Sequence, residues 1–210
     1  MNKSRARRFI FFALALTLTS CTLVPKSDPQ TVYQLAALPS KAGAQYPKVP
    51  YSLSIDTPQS SRIIDSTRML VQPDGTQLSI YKGARWSDSV PSMLRERFSA
   101  AFRQANAFQA VSNDGYAYRT DLALGTEVMT FQVQYLPQGV FAVVTIDAFL
   151  SDPSSQTILA TQRFSATHPL AGTAVTAAVR ALSEATNNVT QSLVDWTLGQ
   201  VRSYEPARPS

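Results

Sequence analysis

Apolar residues recur at every second position in several short stretches of this chain and at every third or fourth in two longer ones, a pattern that predicts a sheet accompanied by two helices. In YSLSIDTP, Tyr51, Leu53 and Ile55 share one face of a strand that Pro58 stops. Met69 to Val71 and Leu78 to Tyr81 flank QPDGTQ, so Pro73-Asp74-Gly75 is expected to turn a hairpin. The first helix follows GARW: Val90, Leu94, Phe98, Ala101 and Phe102 form its stripe, and Pro91 suits its first turn. Ser87 and Ser89 are its candidate caps, and it should end near Asn106.

The longest period-two signal comes next. EVMTFQVQY sets Met129, Phe131, Val133 and Tyr135 on one face, LPQG turns, and FAVVTIDAFL returns with Phe141, Val143 and Phe149 expected at matching parity. Leu122 and Leu124 stand on the opposite parity, and a bulge near Gly125 would bring them back to the same face. The return strand is apolar on its second face too, at Ala142, Val144, Ile146 and Leu150, which points to a central strand or to one that meets a partner subunit. A third strand, TILATQRFSAT, follows the turn SDPSSQ. From Thr173 to about Val201 the step is helical again, through Val175, Val179, Leu182, Thr186, Val189, Leu193 and Trp196. Polar Thr186 interrupts that stripe, and sparse flanking charge pairs favour a helix lying on a sheet over a coiled coil.

These elements give the expected fold class: α+β, a twisted mixed or antiparallel sheet with two main helices packed on it, the C-terminal one long. About 190 residues beyond an N-terminal leader suffice for one domain with its own core. The expected division is 1–20 as signal peptide, 21–30 as lipidated cysteine and tether, 31–201 as the domain, and 202–210 as a flexible tail.

The leader changes what the composition means. Lys3, Arg5, Arg7 and Arg8 precede the apolar run FIFFALALTL, the layout of a secretory signal peptide, and that run is too short for a bilayer span of about 20 residues. Leu18-Thr19-Ser20-Cys21 resembles the lipobox of bacterial lipoproteins, which implies that Cys21 is acylated and becomes the first residue of the mature chain. The net charge is +5, but of the 19 Lys and Arg four lie in the leader, leaving 15 against 14 Asp and Glu. The basicity is therefore a targeting feature, and no dense Lys/Arg cluster after Cys21 offers nucleic acid a surface. Cys21 is the only cysteine; once it carries lipid, no intramolecular disulfide and no thiolate nucleophile or ligand remains.

Candidate chemistry is sparse. His168 is the only histidine, beside Pro169 in an expected loop before the long helix, and it has no second histidine or cysteine with which to build a zinc site. Glu127 and Asp147 fall in the main hairpin and read as solvated or edge positions rather than an acid–base pair. With no Walker-type loop, any ATP hydrolysis must come from a partner. The expectation is a protein that is not an enzyme, with no catalytic residue, no metal and no cofactor beyond the covalent lipid on Cys21. Tyr33 and Leu35, in an apparent edge strand just past the tether, and Trp86, at the helix start, are the candidate partner-binding residues. Their alternative roles are internal: a strand within the sheet, and an indole packed on its own first helical turn.

Taken in order, VYQLAALP, YSLSIDTP, IIDSTRMLVQPDGTQLSIYKGARWSDSVPSMLRERF, FQAV, the paired strands and VDWT resemble the ABC-type transport auxiliary lipoproteins, the PqiC-like accessory lipoproteins of Mce-type transporters. The resemblance runs over roughly residues 31 to 200 and is most specific from Arg68 through YKGARW to the helix carrying Leu94. The single Pro91 departs from the more proline-rich helix start of many relatives. The resemblance implies an accessory envelope lipoprotein. Its partners would be an Mce-domain substrate-binding subunit and an ABC permease and ATPase that move phospholipids or other hydrophobic molecules between membranes. Thr22 after the cysteine, in place of aspartate, implies the outer membrane, facing the periplasm, and the apolar second face of the return strand leaves a homo-oligomer open. Two other readings stay open: an adaptor that activates a peptidoglycan synthase, and a lipid chaperone with its own apolar pocket.

Overall fold

In the computed structural model of the chain, residues 29–39, 46–115 and 118–204 are described; Cys21, with the expected signal peptide before it, and the expected tail beyond Tyr204 lie outside them. The strands are β1 (Thr31–Tyr33), β2 (Ser52–Ile55), β3 (Gln59–Ser60), β4 (Arg68–Gln72), β5 (Ser79–Trp86), β6 (Ala110–Asn113), β7 (Leu122–Leu136), β8 (Gly139–Asp152) and β9 (Thr157–Pro169). The helices are α1 (Val90–Ala105), between β5 and β6, and α2 (Val175–Arg202), at the end. They build the expected α+β architecture, an open mixed sheet whose core unites one sheet face with the stripes of both helices.

β7 organises the sheet. One of its edges pairs antiparallel with β8, which in turn pairs with β9. Its other edge is shared end to end by three short parallel strands: β2 through Leu53↔Leu122, β3 through Gln59↔Glu127 and β4 through Val71↔Val133. β6 extends the sheet beyond β2, while β5 and then β1 extend it beyond β4. The β4–β5 turn is held as its sequence suggests, by the Asp74 carboxylate accepting from the Thr76 and Gln77 amides at 3.0 and 2.9 Å.

The bulge in β7 exists, but four residues beyond Gly125. Register shifts between Val128 and Thr130, leaving Met129 as the extra residue, 45% exposed, and so Leu122, Leu124, Val128, Phe131 and Val133 all reach the core. The parity expected for the return strand is corrected. Leu136 opposes Gly139 across a two-residue loop, Pro137-Gln138, so odd positions of β7 beyond the bulge meet even positions of β8: Phe131↔Val144 and Val133↔Ala142. Ala142, Val144, Ile146 and Leu150 thus form the core face. Phe141, Val143 and Phe149 occupy the opposite face, where Val143 is buried and the two rings are half-buried. There the Phe149 ring lies over Gly125, where an added Cβ would stand 2.0 Å from its Cε2.

Both helices follow their stripes. In α1, Val90, Leu94, Phe98 and Phe102 are buried, Ser89 takes the N-cap position without a side-chain cap bond, and Asn106 closes the C-terminus in the left-handed conformation, φ 50°. In α2 the polar interruptions are satisfied locally: Thr186, Thr190 and Thr197 donate to the carbonyls four residues back at 2.6, 2.7 and 2.8 Å, so threonine is buried there without an orphan hydroxyl. Trp196 meets Phe164 of β9 edge-on at 5.7 Å. Because β9 continues through Pro169, His168 is a strand residue opposite Ala142 rather than part of a loop.

Candidate functional site

The chain enters the described structure next to the corner where the candidate partner-binding residues meet. β1 runs parallel to β5 with Thr31↔Ala84 and Tyr33↔Trp86, and the Tyr33 carbonyl accepts from the Ser87 amide at 2.8 Å. Tyr33 is half-buried against the core. Trp86 is fully buried and edge-on to Phe131, with ring centroids 5.8 Å apart, so its indole has no exposed surface to offer a partner. It anchors β5 to β7 instead.

Past Tyr33 the chain leaves the sheet and crosses the helix layer as a strap, residues 34–39. Three side chains hold it there. The Ala36 amide donates to Ser183 Oγ at 3.0 Å, Gln104 Nε2 donates to the Pro39 carbonyl at 3.3 Å, and Arg97 donates both to the Ala36 carbonyl and, at 2.9 Å, to Asn187 Oδ1. Arg97 comes from α1, Asn187 and Ser183 from α2, so one guanidinium ties strap and helices together. Arg97 is 8% exposed and has no carboxylate partner among the described residues; burial holds its pKa below the usual guanidinium value. Between strap and α1 lies a groove of about 510 Å³, with Leu35, Leu38, Met93 and Ala100 among its apolar walls and Arg97 at its edge.

The structure therefore gathers Tyr33, Leu35 and Trp86 into one corner but gives them different roles. Leu35 lines an open groove, Tyr33 is partly covered, and Trp86 is interior. Arg97 escaped sequence reasoning, because a charged residue three positions past Leu94 on the flank of an amphipathic stripe reads as solvated. Cys21 lies outside the described residues.

Several other titratable groups are engaged in holding the fold. Glu127 and Asp147 are cross-strand partners, but Arg163 grips Asp147 with Nε and Nη2, both at 2.6 Å, and those bonds hold its carboxyl below the usual range. Burial, then the charge of Asp114, raises Asp56. For Asp114 itself burial is outweighed by the Thr57 amide at 2.7 Å, the Thr57 hydroxyl at 3.0 Å and Arg95 at 3.4 Å, which lower it and tie the β2–β3 corner to α1. Among the described residues no group of three or more His, Cys, Asp or Glu is arranged to hold a metal ion, and no helix is long and apolar enough to cross a membrane.

A family model described as ABC-type transport auxiliary lipoprotein component matches residues 33–194, from the end of β1 into the last third of α2. The chain belongs to this family. Among solved structures it is similar to a Xanthomonas campestris protein of the DUF330 family, 29% identical with a TM-score of 0.76, over 82% of this chain and 98% of that one. It shares the fold with an uncharacterized protein at 15% identity, TM-score 0.64, over 80% of this chain and 99% of that one. A hypothetical protein of Chlamydia trachomatis has the fold too, at 6% identity and a TM-score of 0.54, over 74% and 100% of the two chains. No curated protein matches. The matched span begins at Tyr33, so the strap, Arg97 and the groove are parts of the auxiliary lipoprotein domain itself.

Proposed function

We propose that the mature protein is anchored by acylated Cys21 to the periplasmic face of the outer membrane and serves as a non-catalytic accessory subunit of an Mce-type ABC system that moves phospholipids or other hydrophobic molecules. The observation that carries this reading is the family match across residues 33–194 of a chain whose Leu18-Thr19-Ser20-Cys21 resembles a lipobox. The side-chain chemistry supports a binding role: in each pair of neighbouring carboxylates one member, Asp114 beside Asp56 and Asp147 opposite Glu127, is committed to hydrogen bonds and ion pairs that hold strands and α1 in place. Tyr33 and Leu35 are the contact offered to the transporter, with Leu35 on the groove and Trp86 supporting it from behind through the Tyr33 register.

Affinity purification of the full-length lipoprotein from crosslinked membranes in mild detergent tests the proposal. Recovery of an Mce-domain subunit, lost in Leu35→Asp while the fold is kept, is the expected result. Recovery of a peptidoglycan synthase with no transporter subunit would overturn it.

A further inference from the structure

On the sheet face away from the helices, three registered residues form a row across the end of the sheet nearest the tether: Val32 of β1 opposite Arg85 of β5, and Arg85 opposite Arg68 of β4. Their face follows from their neighbours, since Ala84, Trp86 and Met69 are buried on the core side and side chains alternate along a strand. Ile80 pairs with Leu70 beyond an irregularity in the β4–β5 register that separates it from Arg85. Val32 and Ile80 are each 48% exposed. Neither guanidinium has a hydrogen-bond or ion-pair partner among the described residues. Like charges directly opposite in a ladder are unfavourable. Two planar cationic forks side by side, flanked by the exposed Val32 side chain, form a surface suited to phosphate oxygens and the apolar layer beneath them.

The tether selects the occupant. Nine residues lie between Cys21 and Thr31, and the ten steps from one Cα to the next span at most about 35 Å when fully extended and about 17 Å on average for a flexible linker of that length. Val32 is therefore held within that distance of any bilayer that receives the acyl group, at high effective concentration, so a weak electrostatic contact suffices. We infer that the Val32–Arg85–Arg68 row is a seat for anionic phospholipid headgroups, which sets the orientation of the domain on its own membrane and leaves the strap and groove turned toward a partner. This inference rests on the acylation of Cys21 proposed above.

The test uses the full-length processed lipoprotein carrying Val32→Cys, whose new thiol is the one left free for an environment-sensitive fluorophore once Cys21 is acylated. The protein is reconstituted into vesicles of phosphatidylcholine alone or of phosphatidylcholine with phosphatidylglycerol. The expected result is an emission change only with phosphatidylglycerol, lost when salt shortens the Debye length to about 4 Å. The change is also lost in Arg68→Glu/Arg85→Glu and retained in Arg180→Glu on the exposed side of α2, with unchanged melting in each. Since each arginine near an anionic surface is worth roughly fivefold, the single variant Arg68→Gln should show an intermediate, about fivefold weaker response. An equal signal in both vesicle types, or a label that responds only to added envelope proteins, overturns the inference, the latter in favour of an acidic protein partner. Mass analysis of the purified protein separates the two readings: absence of the acyl mass refutes the anchor, and flotation of that unacylated chain with anionic vesicles then decides whether the row still binds headgroups.

Discussion

Replacing Trp86 by alanine empties a fully buried site beside Phe131, and large-to-small changes of that kind cost about 3–5 kcal/mol. Leu35→Asp, at a half-buried position on an open groove, should cost no more than about 1 kcal/mol. Urea denaturation compares the two, and an equal loss in both would show that Leu35 is part of the core rather than of a surface. A second pair of residues makes stability depend on pH at both ends of the range. Asp152 Oδ1 accepts from the Ser154 hydroxyl at 2.6 Å and Oδ2 from Tyr204 at 2.9 Å, and these bonds, Ser154 first, hold the Asp152 carboxyl far below the usual range against burial. Burial first, then Asp152, pushes Tyr204 up to about 12. A depressed carboxyl contributes stability above its ordinary pKa near 4 that is lost as pH falls below it; a raised phenol contributes stability below about 10 that is lost as pH climbs toward 12. Asp152→Asn should therefore flatten the acid limb of a melting-temperature profile between about pH 5 and 2, and Tyr204→Phe the alkaline limb above about pH 10.

Among the elements, β7 and β8 are coupled through a glycine and a ring. Gly125→Ala would place a Cβ 2.0 Å from Phe149, and the ring must swing off the sheet, an overpacking cost of about 1–3 kcal/mol. In the double variant with Phe149→Ala the clash is gone, so the two effects should fall short of additivity by about 1 kcal/mol or more in a double-mutant cycle. Strict additivity would mean that the ring does not rest on Gly125. The same strands show what the sequence made legible. Period-two runs located β2, β7, β8 and β9, and the parity break between Leu124 and Phe131 announced a bulge, because a one-residue insertion is the cheapest way to return both apolar sets to one core. Its position at Met129 was hidden, since any residue between the two sets restores the parity equally well. Hidden too was the division of one β7 edge among β2, β3 and β4, because parallel pairing of strands far apart in sequence is decided by how the helices cover the sheet and leaves no local signal.

At the scale of the molecule, the candidate site was half legible: Tyr33 and Leu35 were singled out in the sequence, whereas the strap depends on Arg97, a cation whose burial is visible only once α1, α2 and residues 34–39 are brought together. That arrangement yields a prediction about how the domain is joined to its anchor. Arg97→Met removes a buried cation that has no carboxylate to balance it, which relieves desolvation, and leaves the Ala36 carbonyl and Asn187 without their donor, which costs about 1–3 kcal/mol. The two nearly offset in global stability, but they act in different places. Relief is spread over the helix layer, while the lost bonds fall on the strap, which then keeps only the Ser183 and Gln104 contacts. Native-state hydrogen exchange should show amides of residues 34–39 exchanging at least about tenfold faster, the equivalent of about 1.4 kcal/mol, with protection in the middle of α2 almost unchanged. An equal loss of protection along Thr186 to Leu198 would mean instead that Arg97 holds the whole helix layer in place. In that case any pull transmitted from the proposed lipid anchor through the strap would reach the core directly rather than stop at the groove.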